Sequence, residues 1–413
     1  MQVLLGEMPP NCKREAAQLT FWARVNATEN NPTAEKLDDQ KSIKRPVSRK
    51  DSKEYDNKNF GLARIIDVNT KLLYLDKENI AKMPNDAGSH LWQKIELDYE
   101  LKKHINKKTD LGTTMQAITV EHIEKKYSEH IKTYTDGSTD LGVVGIGIHG
   151  GEPEKNQKIR LNDHTSICTA ELTALQQGLQ NIWDSNTTNK KHVILTDSRS
   201  AMEALEHSKV RGYRFDLIAS FRKLYTDLTR ICKHSITICW IPSHVGVIGN
   251  EKADNLAKEA LTNPDFPLEV KLGTSENKSL IMKRVKGLIW QKQWDACKIS
   301  TLTKELIPKV NKGKIAYSGT GTLGKITRLR LNRPYFNTRN GDEAINCDQC
   351  NEPKTLKHVL LSCQNHEAER EIVKRKFDEA GEKLNIFNLL SPFAKKELRT
   401  HSKAYIKSIN ENI

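Results

Sequence analysis

From Ile131 onward the apolar positions of the chain take on a regular rhythm. IKTYTDGS and LGVVGIGIHG are β-rich runs separated by a Ser-Thr-Asp turn, KIRLN follows, and the three predict an antiparallel meander. Ala170, Ala174, Leu175, Leu179 and Ile182 then recur at helical spacing through ELTALQQGLQNIW. HVILTD is a short, nearly continuous apolar run, the mark of a central strand covered on both faces. SRSAMEALEH and FDLIASFRKLYTDLTRIC predict a short and a longer helix, SITICWIP another strand, and NEKADNLAKEALTN a last helix ended by Pro264. Three strands followed by helices alternating with two more predict an α/β fold. Its core is a five-stranded mixed sheet, three antiparallel strands then two parallel, with flanking helices.

The flanks are less periodic. Residues 27–59, including RPVSRKDSKEYDNKN, hold too few apolar positions to offset the entropy of ordering them, which predicts a linker. Residues 81–128 predict one or two helices leading into the sheet. Beyond Pro267, Lys283, Arg284, Lys286, Lys292, Lys325, Arg328, Arg330 and Arg333 alternate with Trp290, Trp294, Tyr335 and Phe336. Interleaved cations and aromatics suit phosphate neutralisation and base stacking; an amphipathic helix with a solvated basic face has the same pattern. The expected organisation is a polar and helical region over 1–128, a sheet domain over 129–265, a basic helical region over 266–340, and a Cys/His motif with C-terminal helices over 341–413.

Composition adds a partner. The chain has 413 residues, more than one core usually organises, and 66 Lys and Arg against 52 Asp and Glu give a formal charge of +14. Such a surface favours a polyanion, nucleic acid before an anionic membrane. The first residues carry neither a basic leader nor a small-residue cleavage site, and no apolar run is long enough to span a bilayer, so the expectation is an intracellular protein. Eight cysteines are too sparse for a disulfide scaffold. Cys347, Cys350, His358 and Cys363 follow C-x2-C-x7-H-x4-C, a spacing that suits a closed structural zinc site.

Four acids fall at special places on the predicted elements. Asp136 lies in the first strand, before Gly137, where missing side-chain bulk lets a ligand backbone approach. Glu171 projects from the core-facing stripe of the first helix, Asp197 ends the apolar strand, and Asp254 lies beside the Ala253, Leu256, Ala257 and Ala260 stripe of the last helix. One acid at a strand end is ordinarily a turn residue or a cap. Four aimed at one face would repel, and divalent metal is the simplest compensation. Hard oxygen donors point to Mg²⁺ or Mn²⁺, and two such ions would stabilise the attacking and leaving oxygens of a displacement at phosphorus. His244, in PSHVGVIGN, is placed to move a proton to the leaving oxygen or to aid product release. Asn250 is expected to cap the last helix, with Glu251 in its first turn, and so to orient Asp254.

YTDGS, TAEL, LTDSRSAM and WIPSHVGVIGNEKADNLAKEA resemble, in order and spacing, the motifs of RNase H domains over about Ile131 to Leu261. The resemblance implies the ribonuclease H fold and a two-metal phosphodiesterase that cuts the RNA strand of RNA–DNA hybrids. It implies that Asp136, Glu171, Asp197 and Asp254 hold two Mg²⁺ ions, with Mn²⁺ as a substitute. His244 matches the family's mobile loop histidine. Ser138, Ser198 and Arg199 match contacts to the substrate backbone, with Asn250 in the same set although its structural role comes first. HSKVRGYRFD leaves little room for the larger basic protrusion of some relatives.

MQVLLGEMPPN with TFWARVN, and the Cys/His cluster after the sheet domain, look like the segments that follow the polymerase in non-LTR retrotransposon proteins. That resemblance implies a reverse transcriptase encoded elsewhere or lost, since no Y-x-D-D is present in this chain. The competing function is a catalytically silent nucleic-acid-binding remnant of a mobile element. An exonuclease would place an acid where Ser138 stands, and an integrase would not use the segment from His244 to Asp254.

Overall fold

The computed structural model describes residues 7–41, 62–83, 92–106, 109–206, 213–262, 270–297, 301–310, 321–332 and 346–409. The chain divides into two compact units, Gln18–Ile281 and Met1–Ala17 with Met282–Ile413. Ahead of the sheet come helices α1 (Pro10–Asn26), α2 (Pro32–Lys41) and α3 (Leu62–Leu72). Strand β1 (Glu96–Asp98) and helices α4 (Leu101–His104) and α5 (Gly112–Lys126) follow. The predicted rhythm then appears as β2 (Ile131–Asp140), β3 (Val143–Gly150), β4 (Lys155–Leu161), α6 (Ile167–Asp184), β5 (Lys191–Thr196), α7 (Arg199–Glu206), α8 (Phe215–Arg230), β6 (Ser235–Trp240) and α9 (Ile248–Leu261). Helix α10 (Thr274–Arg284) comes next. α9 ends at Leu261 with Thr262 as its C-cap; Pro264 lies outside the described residues. α2 falls inside the stretch expected to be a linker, of which residues 42–59 also lie outside them.

The sheet has six strands rather than five, in the order β1-β6-β5-β2-β3-β4. β2 and β3, and β3 and β4, run antiparallel; β2 with β5, β5 with β6, and β6 with β1 run parallel. The additional strand is three residues long, too short to carry a periodic signal, and lies in a stretch expected to be helical. It is captured by tertiary pairing, Leu97 opposite Ile238, which covers the edge that β6 would otherwise expose.

Alternation along β3 decides how the helices pack. Val144, Ile146 and Ile148 are fully buried in a cluster with Ala170 and Ala174 of α6. The intervening Gly145 and Gly147 face α9, where a Cβ would come within 2.6 Å of the Ala257 carbonyl and 2.0 Å of the Ala253 carbonyl. No side chain fits at either position without displacing the helix that carries Asp254. A second cluster joins Leu172, Leu175, Leu179 and Ile182 of α6 to Phe221, Tyr225 and Leu228 of α8 and to Val193, Ile194 and Leu195 of β5. Each buried leucine or phenylalanine there contributes about 1.5–3 kcal/mol.

In the second unit the interleaved aromatics turn out to be core. Trp290 and Trp294 are buried, and Trp294 Nε1 donates to the Ile307 carbonyl at 2.8 Å. Arg330 is also buried, its Nε donating to the Leu390 carbonyl at 2.8 Å. These three side chains are therefore not available for stacking or phosphate contact; Arg333, Tyr335 and Phe336 lie outside the described residues.

A buried ion pair fixes the start of α6. Arg214 and Glu276 have side chains 2% and 3% exposed and meet at 2.9 Å. Glu276 also accepts from the backbone N–H of Ser166 at 2.7 Å and of Gly273 at 2.8 Å, while Ser166 caps α6 by accepting from the Thr169 N–H. Arg214 completes its hydrogen bonding on Asp216 at 2.7 and 3.0 Å. Removing Glu276 leaves Arg214 its ion pair with Asp216 but takes the acceptor from Arg214 Nη1 and from two backbone N–H groups. Glu276→Ala is expected to lower the unfolding free energy of the sheet unit by about 1–3 kcal/mol, read as a fall in the urea midpoint of the full chain; an unchanged midpoint would contradict the pairing.

Candidate active site

β2, α6 and β5 each bring one carboxylate to the same place. Asp136 sits mid-strand opposite Gly147 in the β2–β3 register. Glu171 lies in the first turns of α6. The helix comes close to β2 because Gly137 has no side chain: a Cβ there would lie 3.1 Å from Ala170 Cβ and 3.2 Å from the Glu171 nitrogen. The missing side chain at Gly137 therefore admits α6, and Gly137 also lines the cleft beside Asp136. Asp197 follows β5, and its carbonyl accepts from Trp240 Nε1 at 3.2 Å, which ties it to the end of β6.

Oxygens of Asp136, Glu171 and Asp197 lie within 4.8 Å of one another. Burial, then the Asp197 charge, pushes the Asp136 carboxyl up to about 7. Glu171 is raised well above its ordinary value, by burial first and by Asp136 and Asp197 next. Glu171 Oε2 is buried with no hydrogen-bond partner. Clustered hard oxygens, mutual repulsion and an orphaned buried acceptor together fit a divalent cation.

Asp254, one turn into α9, lines the same cleft but groups with His244 and Glu251. Its Oδ2 accepts from Lys258 Nζ at 2.6 Å and lies 4.0 Å from His244 Nδ1. Lys258 escaped the sequence reading, although its place four residues after Asp254 on one helix was a signal. The His244 side chain is 69% exposed, on a left-handed backbone with φ of 55°.

Ser138, Ser198 and Arg199 line the cleft as well. Ser198 Oγ accepts from the Ala201 N–H at 3.3 Å, so it also caps the start of α7, and Arg199 is paired with Glu203. Asn250 is not the cap expected of it. α9 starts at Ile248 with Val247 at the cap position, and Asn250 is buried in the first turn with its Nδ2 3.4 Å from Asp197 Oδ2. It bridges the acid of β5 to the helix of Asp254. Glu251, acidic in the first turn as expected, accepts from the Gly246 N–H at 3.3 Å.

In the other unit, ligand atoms of Cys347, Cys350, His358 and Cys363 lie within 4.8 Å of one another. The neighbouring His358 imidazole, then the Cys350 and Gln349 backbone, hold the Cys347 thiol down at about 6. Burial pushes Cys363 up to about 11. His358 Nδ1 lies 3.0 Å from Glu352 Oε2, while its Nε2 is buried without a partner. A carboxylate on one ring nitrogen leaves the other to face the thiols, the arrangement expected around a histidine ligand.

Residues 128–262 match the sequence model of the RNase H family. Ribonuclease H of Desulforamulus reducens is 27% identical over 157 residues, 35% of this chain and 94% of that protein. Ribonuclease H of Saccharomyces cerevisiae is 30% identical over 160 residues, 32% of this chain and 46% of that protein. Among solved structures, an N-terminal RNase H domain from Mycobacterium tuberculosis, a fusion with maltose-binding protein, aligns at 20% identity and a TM-score of 0.26, covering 32% of this chain and 99% of that one. Residues 128–262 are an RNase H domain with the ribonuclease H-like fold, and the enzyme class of this chain is ribonuclease H.

Because the folded value of Asp136 lies above its ordinary 3.8, its contribution to stability is present below about pH 4 and lost as pH rises through about 7. In a chelator, the melting temperature of the sheet unit is expected to fall across that window. Asp136→Asn should flatten the fall and melt higher than wild type at pH 7. An equal or lower melting temperature for the variant would contradict the repulsion.

Proposed function

We propose that this chain hydrolyses the RNA strand of RNA–DNA hybrids at the cleft between β2, α6, β5 and α9. The carboxylates of Asp136, Glu171 and Asp197 within 4.8 Å of one another carry this reading, with Asp254 lining the same cleft. These four would hold two Mg²⁺ ions, with Mn²⁺ as a substitute, which when bound stabilise charge developing on the attacking and leaving oxygens at phosphorus. Asn250 and Trp240 orient Asp197, and Lys258 restrains Asp254. His244, exposed at the mouth of the cleft, supplies a proton to the leaving 3′-oxygen. Ser138, Ser198 and Arg199 lie where the substrate backbone would pass. Selectivity for the hybrid rests on the 2′-hydroxyl of one strand and its absence from the other.

Hydrolysis of an end-labelled hybrid in Mg²⁺ is expected from the full chain, with single-stranded RNA and duplex DNA left intact. Asp197→Asn should lower the rate by at least about a hundredfold while hybrid binding persists. Retained cleavage in the variant would place the centre elsewhere, and hybrid binding without cleavage by wild type in either Mg²⁺ or Mn²⁺ would leave a binding protein.

For the other unit we propose a structural zinc ion held by Cys347, Cys350, His358 Nε2 and Cys363. The orphaned His358 nitrogen and the lowered Cys347 thiol support it. This motif and the N-terminal segment resembling post-polymerase sequences support descent from a non-LTR retrotransposon polyprotein, with a separately encoded reverse transcriptase as partner. Elemental analysis is expected to return one zinc per chain in wild type and none in Cys350→Ser. Wild type purified without zinc would refute the site.

A further inference from the structure

His244 reaches the cleft on a loop whose conformation is unusual. Its own φ is 55° and that of Gly246 is 85°, both in the left-handed region. Such backbone keeps one shape only where its polar groups are paired. On one side the Gly246 N–H donates to Glu251 Oε1 of α9 at 3.3 Å. On the other, the Gly246 carbonyl accepts from Gln116 Nε2 of α5 at 2.6 Å. α5 spans Gly112–Lys126, whereas the RNase H match begins at residue 128. A side chain from outside the matched segment thus grips the loop of His244.

The contact is tight as well as polar. A Cβ at Gly246 would lie 2.9 Å from Gln116 Nε2. Met115, next to Gln116, belongs to the same buried apolar cluster as Val245 and Val247 on either side of Gly246. Glu251 alone leaves the Gly246 carbonyl unpaired, and Gln116 supplies that missing donor. A hydrogen bond of this kind shifts a local equilibrium by about two- to tenfold.

We propose that Gln116 is a positioning residue for the nuclease: by holding the Gly246 carbonyl it keeps the loop in the conformation that brings His244 to the cleft. The proposal rests on the ribonuclease reading above, and its effect on turnover passes through His244. Gln116→Met keeps the length and the apolar stem and removes only the donor.

The test compares full-length wild type, Gln116→Met, His244→Ala and the double variant on an RNA–DNA hybrid in Mg²⁺, together with amide hydrogen exchange of each protein. Gln116→Met is expected to lower kcat about three- to tenfold with KM near wild type, and to have no further effect in the His244→Ala background. Exchange at Gly246 and Val247 should quicken by a similar factor while β2 and β5 keep their protection. An undiminished loss in the His244→Ala background, or unchanged loop exchange, would overturn the proposal. If wild type fails to cut the hybrid, the ribonuclease reading falls. The exchange measurement then decides only whether Gln116 holds the Gly246 loop, faster loop exchange sustaining that contact and unchanged exchange ending it.

Discussion

Mutual repulsion among Asp136, Glu171 and Asp197 is the constraint around which the sheet unit is built, since like charges within 4.8 Å of one another resist burial. Left to itself a loop would relieve that repulsion by moving. Here each acid sits on, or directly after, a regular element whose position the core dictates. Val193, Ile194 and Leu195 lead into Asp197 from the centre of the sheet, and Ala170 and Leu172 flank Glu171 on α6, all buried. The apolar contacts supply the energy that keeps the acids together, and the orphaned oxygen of Glu171 marks where a cation would offset the remainder.

The same constraint explains the glycines of this unit. Gly137 lets α6 deliver Glu171 beside Asp136, and Gly145 and Gly147 let α9 lie against β3 so that Asp254 lines the cleft. The framework also extends past residues 128–262 in both directions. β1 covers the edge of β6, Gln116 holds the loop of His244, and Glu276 bonds the Ser166 N–H at the start of α6. Segments on either side of the matched domain therefore bond directly to the sheet, to the His244 loop and to the start of α6.

The Cys/His cluster uses a different economy. Its donors come from a short stretch with its own local order: the Cys347 N–H bonds the Glu352 carbonyl at 2.8 Å, and Glu352 bonds His358. Close beside it Leu360 is buried, and its carbonyl accepts from the hydroxyl of Tyr405 at 2.8 Å. Basic residues of this unit serve the fold as well as the surface, as the burial of Arg330 illustrates.

What the amino-acid sequence determined by itself was whatever is written in local periodicity and spacing. Five of the six strands, the helices between them, the carboxylates at strand ends and helix stripes, and the C-x2-C-x7-H-x4-C pattern are of this kind, because period and motif are properties of neighbours along the chain. β1 was not legible, since a strand of three residues has no period and exists only because β6 offers it an edge. Trp290, Trp294 and Arg330 read equally as a binding surface or as an amphipathic helix with a basic face, because composition does not say which way a side chain faces. Asn250 read as a cap until the loop before it placed Val247 at the helix start. Gln116 and Glu276 carry no motif; only the folded chain brings them against Gly246, 130 residues away, and Ser166, 110 residues away. Contacts of that range are chosen by packing of the whole sheet, and so tertiary structure alone decided them.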